Sequence, residues 1–143
     1  MFITGVSEGA AQGEVADYYA GQRASWGFLP NYAPAFSTRP EVAKAWNALN
    51  VAVRGGMERR RFEIATIAAA RARRSTYCTA AHSAFLRDVC GDLAAVEAIA
   101  EHPDGAALSE QDRAVYAFAT KVAADAAAVE QADVDALRAV GLS

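Results

Sequence analysis

Cysteine, histidine and methionine are scarce in this chain, with two of each among 143 residues. Two cysteines cannot build a disulfide framework, so the fold must be held by its own core. A chain of this length is enough to bury one as a single domain, 1–143. Charge of one sign is also lacking. The net charge of −3 gives no general attraction to nucleic acid or to an acidic membrane. Long apolar runs are missing too. The stretches 64–70 and 114–119 are far too short to span a bilayer. The start lacks the charged-then-apolar pattern of a secretion signal. These absences lead to the expectation of a soluble, cytoplasmic protein in a reducing compartment, where a thiol stays available for chemistry.

Strand-like alternation is absent as well. What is present is alanine-rich apolar sequence with helical spacing, broken by short turns. The reading is an all-α domain. A first helix is expected over 8–24, with Val15, Tyr18, Tyr19 and Gln22 near one face. Gly27, Pro30 and Pro34 make the next stretch a loop with at most one helical turn. Pro40 opens a helix over 40–53, which Gly55 and Gly56 end. The helix over 58–73 is apolar nearly all round and is expected to be central. Ser75 or Thr76 caps a helix over 76–90, which Gly91 stops. A short helix over 92–101 ends at His102-Pro103. Ser109-Glu-Gln-Asp112 resembles a capping box and opens a helix to about 126. A last helix covers 131–140.

Chemistry concentrates in Ser75-Thr-Tyr-Cys78-Thr-Ala-Ala-His82. Residues four apart share a helix face, so the Cys78 thiol and the His82 imidazole are close enough to exchange a proton. Ser75 falls on that face too. With the helix starting at 75 or 76, Cys78 lies in its first turn, where free N–H groups and the helix dipole favour a thiolate. Half of the basic residues lie between Arg54 and Arg74, and Arg71, Arg73 and Arg74 come just before this helix. The competing reading is a small buried cysteine beside an unrelated histidine. Glu63 sits on the preceding helix, about 18 Å from the turn against about 10 Å for His82, at ~1.5 Å per residue. The two meet only if the helices cross obliquely.

Glu63 followed by Ser75-x-x-Cys78-x-x-x-His82 resembles the active-site pattern of the alkylhydroperoxidase D-like group within the carboxymuconolactone decarboxylase superfamily. The pattern there is a glutamate, about a dozen residues, then Cys-x-x-Cys-x-x-x-His. The apolar stretch after the glutamate and the Tyr77-Cys78 pair are similar to the peroxidase-related branch. The resemblance covers most of the chain and is strongest over 58–90. It implies a compact helical domain with the motif helix in its core, assembled as trimers or hexamers. It also implies that Cys78 is the peroxidatic position and that His82 and Glu63 relay protons. Ser75 stands where the resolving cysteine belongs, and Tyr77 where some members have histidine. Relatives of the branch continue with a further apolar helix beyond the segment that resembles 132–143. That leaves a missing helix or variation within the family.

Serine cannot form a disulfide, so the two-cysteine cycle is absent. Cys90 lies about 18 Å along a continuous helix from Cys78 at ~1.5 Å per residue, while a disulfide needs Cα atoms within about 7 Å. Cys90 therefore reads as a structural thiol. The first functional expectation is a peroxidase-like antioxidant enzyme acting on organic hydroperoxides, with an external thiol reductant and no cofactor. Trp26, Phe28 and Tyr32, with Tyr18, Tyr19 and Trp46, are candidates to wall an apolar pocket, or are plain core. The second is a decarboxylase-like lyase acting on a lactone, with Arg59, Arg60 or Arg61 anchoring an acidic substrate. The third is a helical oligomer without turnover. A metal site of Cys78, His82 and Glu63 is a further option, but the histidine count gives it little support, and no metal is assigned.

Overall fold

Alanine and other good helix formers dominate the chain, and the backbone follows them. In the computed structural model, which describes residues 3–102 and 104–142, every regular element among the described residues is helical. The helices are α1 (Gly13–Trp26), α2 (Ala33–Phe36), α3 (Pro40–Arg54), α4 (Arg59–Ala72), α5 (Thr76–Asp88), α6 (Leu93–Glu101), α7 (Glu110–Ala124) and α8 (Gln131–Ala139). Short 3₁₀ turns cover Glu8–Ala10 and Ala126–Ala128. Among the described residues no helix is long and apolar enough to cross a membrane. Pro103, expected to help stop α6, and the terminal Ser143 lie outside the described residues.

Boundaries from α3 onward follow the expectation to within about two residues. The first helix does not. It was expected over 8–24, and α1 begins only at Gly13. Glycine carries the highest helix cost after proline, and Gly9 and Gly13 weaken this stretch. The backbone makes a 3₁₀ turn at 8–10 and is extended at Ala11 and Gln12. At its other end α1 runs on to Trp26. Gly27 then closes it in the left-handed region, its N–H donating to the Arg23 carbonyl at 2.8 Å.

The chain divides into two compact units, Met1–Gly56 and Met57–Ser143. In the first, α3 packs on α1 and α2. The segment before α1 is pinned to α2: the Val6 N–H donates to Ser37 Oγ at 2.7 Å, and Ser37 Oγ donates to the Pro34 carbonyl at 2.6 Å. Gly5 is required there, since a Cβ would lie 1.7 Å from the Pro34 carbonyl oxygen.

In the second unit α4 is central, as its all-round apolar sequence predicts. Ile64, Ile67 and Ala68 of α4 bury against Leu86 of α5, Ala95 and Ile99 of α6, Leu108, and Tyr116 of α7. Arg60 ties α4 to two further helices. Its Nε donates to Asp92 at 2.6 Å and its Nη1 to Asp112 at 2.7 Å. Asp92 also caps α6 by accepting from the Ala95 N–H at 2.9 Å. The predicted capping box at Ser109 forms only in half. Ser109 Oγ accepts from the Asp112 N–H at 3.2 Å, but the Asp112 carboxylate is held by Arg60 and by the Ser109 hydroxyl instead of reaching back to the backbone.

The turn between α4 and α5 has one costly residue. Arg74 has φ 55°, the left-handed region that glycine adopts without penalty. It sits just past the α4 end, where the Ser75 N–H reaches the Ala70 carbonyl at 2.8 Å. Arg74 is exposed. Replacing it with glycine is expected to stabilise the protein by about 0.5–1 kcal/mol. The urea midpoint should rise with an unchanged slope, and a fall would show that the Arg74 side chain itself stabilises the turn.

Candidate active site

Ser75, Cys78 and His82 take their places from the start of α5. Ser75 is the N-cap and its hydroxyl accepts from the Cys78 N–H at 3.5 Å. Cys78 is the third residue of the helix, in the turn where backbone N–H groups have no intrahelical acceptor. His82 lies one turn further along the same face. The Thr79 hydroxyl turns back to the Ser75 carbonyl at 2.9 Å, which secures this first turn. Tyr77, next to the cysteine, is exposed.

The contact that arithmetic along the helices left open is made. Glu63 of α4 and His82 of α5 meet at 2.6 Å, Oε2 to Nδ1. In the axial count this is a contact that only an oblique crossing of the two helices permits. Glu63 is fully buried. Its other oxygen, Oε1, accepts from Arg59 Nε one turn back on α4. Both carboxylate oxygens are therefore engaged, as a buried charge requires. In the tautomer whose Nδ1–H donates to this carboxylate, Nε2 is the acceptor of the ring. The Phe62 and Phe85 rings flank the imidazole, each with its centroid 6.2 Å away. The Arg59 guanidinium lies over the Phe85 ring at 5.3 Å.

Arg59 was considered only as an anchor for an acidic substrate, and its place in this site was missed. The available signal was the four-residue spacing from Arg59 to Glu63 on one helix. Arg60 holds Asp92 and Asp112, and Arg61 Nη2 donates to Gln111 at 3.1 Å.

Cys78 and Cys90 are both free thiols and half-buried. Cys90 follows α5 and packs against the core cluster of α4 and α7. Burial, with the negative charge of Glu63 adding to it, pushes its thiol above the ordinary range. The helix between the two cysteines is unbroken over Thr76–Asp88, so the distance argument against their pairing stands. Among the described residues no group of three or more His, Cys, Asp and Glu side chains is arranged to hold a metal ion.

The aromatic candidates Trp26, Phe28 and Tyr32 belong to the first unit. Tyr32 packs edge-on between Trp26 and Phe36, with centroids 6.3 and 6.2 Å apart, and its hydroxyl donates to Gln22 at 2.7 Å. Phe28 is exposed. That unit also holds a cleft of about 610 Å³ between α1 and α3, whose lining includes Glu14, Asp17, Tyr18, Glu41 and Lys44. Burial, with Tyr32 and Tyr19 adding, pushes the Tyr18 hydroxyl up to about 12.

Comparison with known proteins adds a family and a fold. The model of the carboxymuconolactone decarboxylase family matches residues 40–121, which includes Glu63, Cys78 and His82. A solved structure from Ralstonia eutropha JMP134, described as an alkylhydroperoxidase AhpD core and uncharacterized peroxidase-related protein, is 26% identical. It aligns over 96% of this chain and 74% of that one with a TM-score of 0.80. An uncharacterized peroxidase-related protein from Silicibacter sp. TM1040 is 24% identical, aligns over 100% and 78%, and has a TM-score of 0.78. No curated protein matches the chain. The all-α fold is thus the alkylhydroperoxidase D-like one.

Proposed function

The chain belongs to the carboxymuconolactone decarboxylase family, and within it we propose that the protein is a one-cysteine thiol peroxidase acting on organic hydroperoxides. The observation that carries this reading is the contact between buried Glu63 and half-buried His82, one helical turn from Cys78. It is the arrangement by which a base, oriented by a carboxylate, activates a nucleophile. The peroxidase-related descriptions of the two similar structures point the same way.

In this reading His82 Nε2 takes the Cys78 proton, directly or through one water. The thiolate sulfur attacks the outer oxygen of the hydroperoxide. The S–O bond forms as the O–O bond breaks, and the alkoxide leaves with the proton returned by His82. The products are an alcohol and a sulfenic acid on Cys78. Ser75 offers no second sulfur, so an external thiol attacks the sulfenic acid, releasing water and forming a mixed disulfide. A second external thiol then frees Cys78 as the external disulfide forms. Such a cycle needs the reduced thiol pool of the cytoplasm.

The test is trapping. With Cys90 replaced by serine, one equivalent of an alkyl hydroperoxide should yield a dimedone adduct on Cys78, and catalytic turnover should require added thiol. An unaltered Cys78 thiol after peroxide would overturn the reading. Lactone decarboxylation that survives Cys78→Ala would instead establish the lyase, and neither activity would leave a helical oligomer without turnover.

A further inference from the structure

Helix α4 opens on residues that its own stability does not favour. Arg59, Arg60 and Arg61 stand in the first turn with no acidic residue, where the helix dipole favours acids. Two of the three have partners beyond α4: Arg60 holds Asp92 and Asp112, and Arg61 holds Gln111. Arg59 pairs within its own helix, with Glu63. A basic residue four places before an acidic one is the weaker order for such a pair. Helix stability therefore does not explain a cation at residue 59.

The candidate site does explain it. Glu63 is wholly enclosed, and its two oxygens go to Arg59 and to His82. A carboxylate at that depth stays charged only while a cation or strong donors hold it. In the proposed cycle His82 waits as a neutral base. Until it takes the thiol proton, Arg59 is the one cation on Glu63 among the described residues. A guanidinium keeps its charge throughout. It is also held in place, lying over the Phe85 ring at 5.3 Å, and the same ring stands beside His82. A planar group with an N–H on a carboxylate and its face on an aromatic ring is fixed in direction as well as in distance.

We propose that Arg59 is a positioning residue: acting through Glu63, it keeps the carboxylate charged and turned to His82 while the imidazole waits for the Cys78 proton. This rests on the thiol chemistry proposed above. When the proton moves from Cys78 to His82, the imidazolium and Arg59 share the carboxylate. When His82 returns the proton to the departing alkoxide, Arg59 holds the charge alone again. Arg59 makes and breaks no bond itself. Its side chain is 43% exposed, so solvent screens it and its effect is several-fold, well short of the loss of a general base.

A double-mutant cycle tests it, on the full chain with Cys90→Ser and at neutral pH. Two rates are read at Cys78: alkylation by iodoacetamide, which needs only the thiolate, and sulfenic acid formation with an alkyl hydroperoxide. Arg59→Gln should slow both by about 5-fold, the scale of a coupling of about 1 kcal/mol. Arg59→Met, which keeps the stem over Phe85 and removes the charge, should slow them alike. Arg59→Lys should restore most of the rate, since an ammonium can reach the same oxygen. With Glu63→Gln already in place, Arg59→Gln should change neither rate further, because the carboxylate it serves is gone. Equal slowing in both backgrounds would show that Arg59 acts by packing on Phe85 and would overturn the proposal. So would an unchanged rate in Arg59→Gln, or a lysine variant no faster than the glutamine one. The two readouts keep the readings apart. If Cys78 is alkylated but does not react with the peroxide, the peroxidase reading falls, and the cycle on alkylation still decides the role of Arg59.

Discussion

Replacing His82 with alanine is expected to slow the peroxide-dependent oxidation of Cys78 by about 10²-fold or more, the scale of a lost general base. The geometry sets this expectation. The imidazole is held from both sides, by the Glu63 carboxylate at Nδ1 and by the flanking Phe62 and Phe85 rings. One nitrogen is fixed, and in the proposed mechanism the other takes the proton of the thiol. Glu63→Gln should slow the reaction less, since an amide oxygen can still accept from Nδ1–H but no longer stabilises the imidazolium that forms. The order of the two variants, read from single-turnover trapping of the sulfenic acid, therefore tests the division of roles. An unchanged rate in His82→Ala would remove the histidine from the chemistry. The alanine variant also leaves the buried Glu63 carboxylate to Arg59, so its helical signal and melting curve must accompany the rate.

The second large effect concerns stability. Arg60→Ala is expected to destabilise the protein by about 2–3 kcal/mol. It removes one cation from two carboxylates, and Asp112 is almost wholly buried. Arg60 itself is 31% exposed, which keeps the loss below that of a fully enclosed pair. The exposed pair Arg87–Asp88 supplies the contrast, and Arg87→Ala should leave the urea midpoint where it is. Burial of Asp92 works against its ionisation, but the Ala95 N–H and Arg60 outweigh it and hold its carboxyl below the usual range. A carboxyl held low contributes stability that is present above its unfolded value, near pH 4, and is lost as the pH falls through the folded one. The gap between parent and Arg60→Ala should thus hold from neutrality down to about pH 4 and narrow below it. A constant gap into stronger acid would show that Arg60 acts through packing of its aliphatic stem and not through its charge.

How far the sequence revealed the molecule depends on the range of each signal. The helices after residue 40 were legible because caps, glycines and apolar spacing are local. Pro40 opens α3, Ser75 caps α5 and Gly91, at φ 70°, turns the chain after α5. The start of α1 was misplaced because two glycines outweighed a helical pattern. The four-point spacing of Glu63, Ser75, Cys78 and His82 marked the candidate site, yet the Glu63–His82 contact depends on how α5 crosses α4, which no local rule supplies. Arg60 reaches partners 32 and 52 residues away, and nothing near it in sequence announces either. Helix α3 was legible as a helix, but the exposure of its Val42, Trp46, Leu49 and Val53 was not. Which side of a helix meets its own chain is decided by the whole fold.

At residue 75 a single side-chain atom sits where helix architecture and redox chemistry make opposite demands. The Ser75 oxygen accepts from the Cys78 amide and closes the first turn of the helix that carries the thiol. A sulfur in the same place would accept that proton only weakly. It would allow a disulfide to close within three residues and make the chain self-sufficient, but it would loosen the turn on which Cys78 is mounted. With oxygen there, the helix end keeps its side-chain cap, and in the proposed cycle the electrons that reset Cys78 come from outside the polypeptide. The pace of the cycle would then follow the supply of an outside thiol and its access to the helix end, and not the chain's own flexibility.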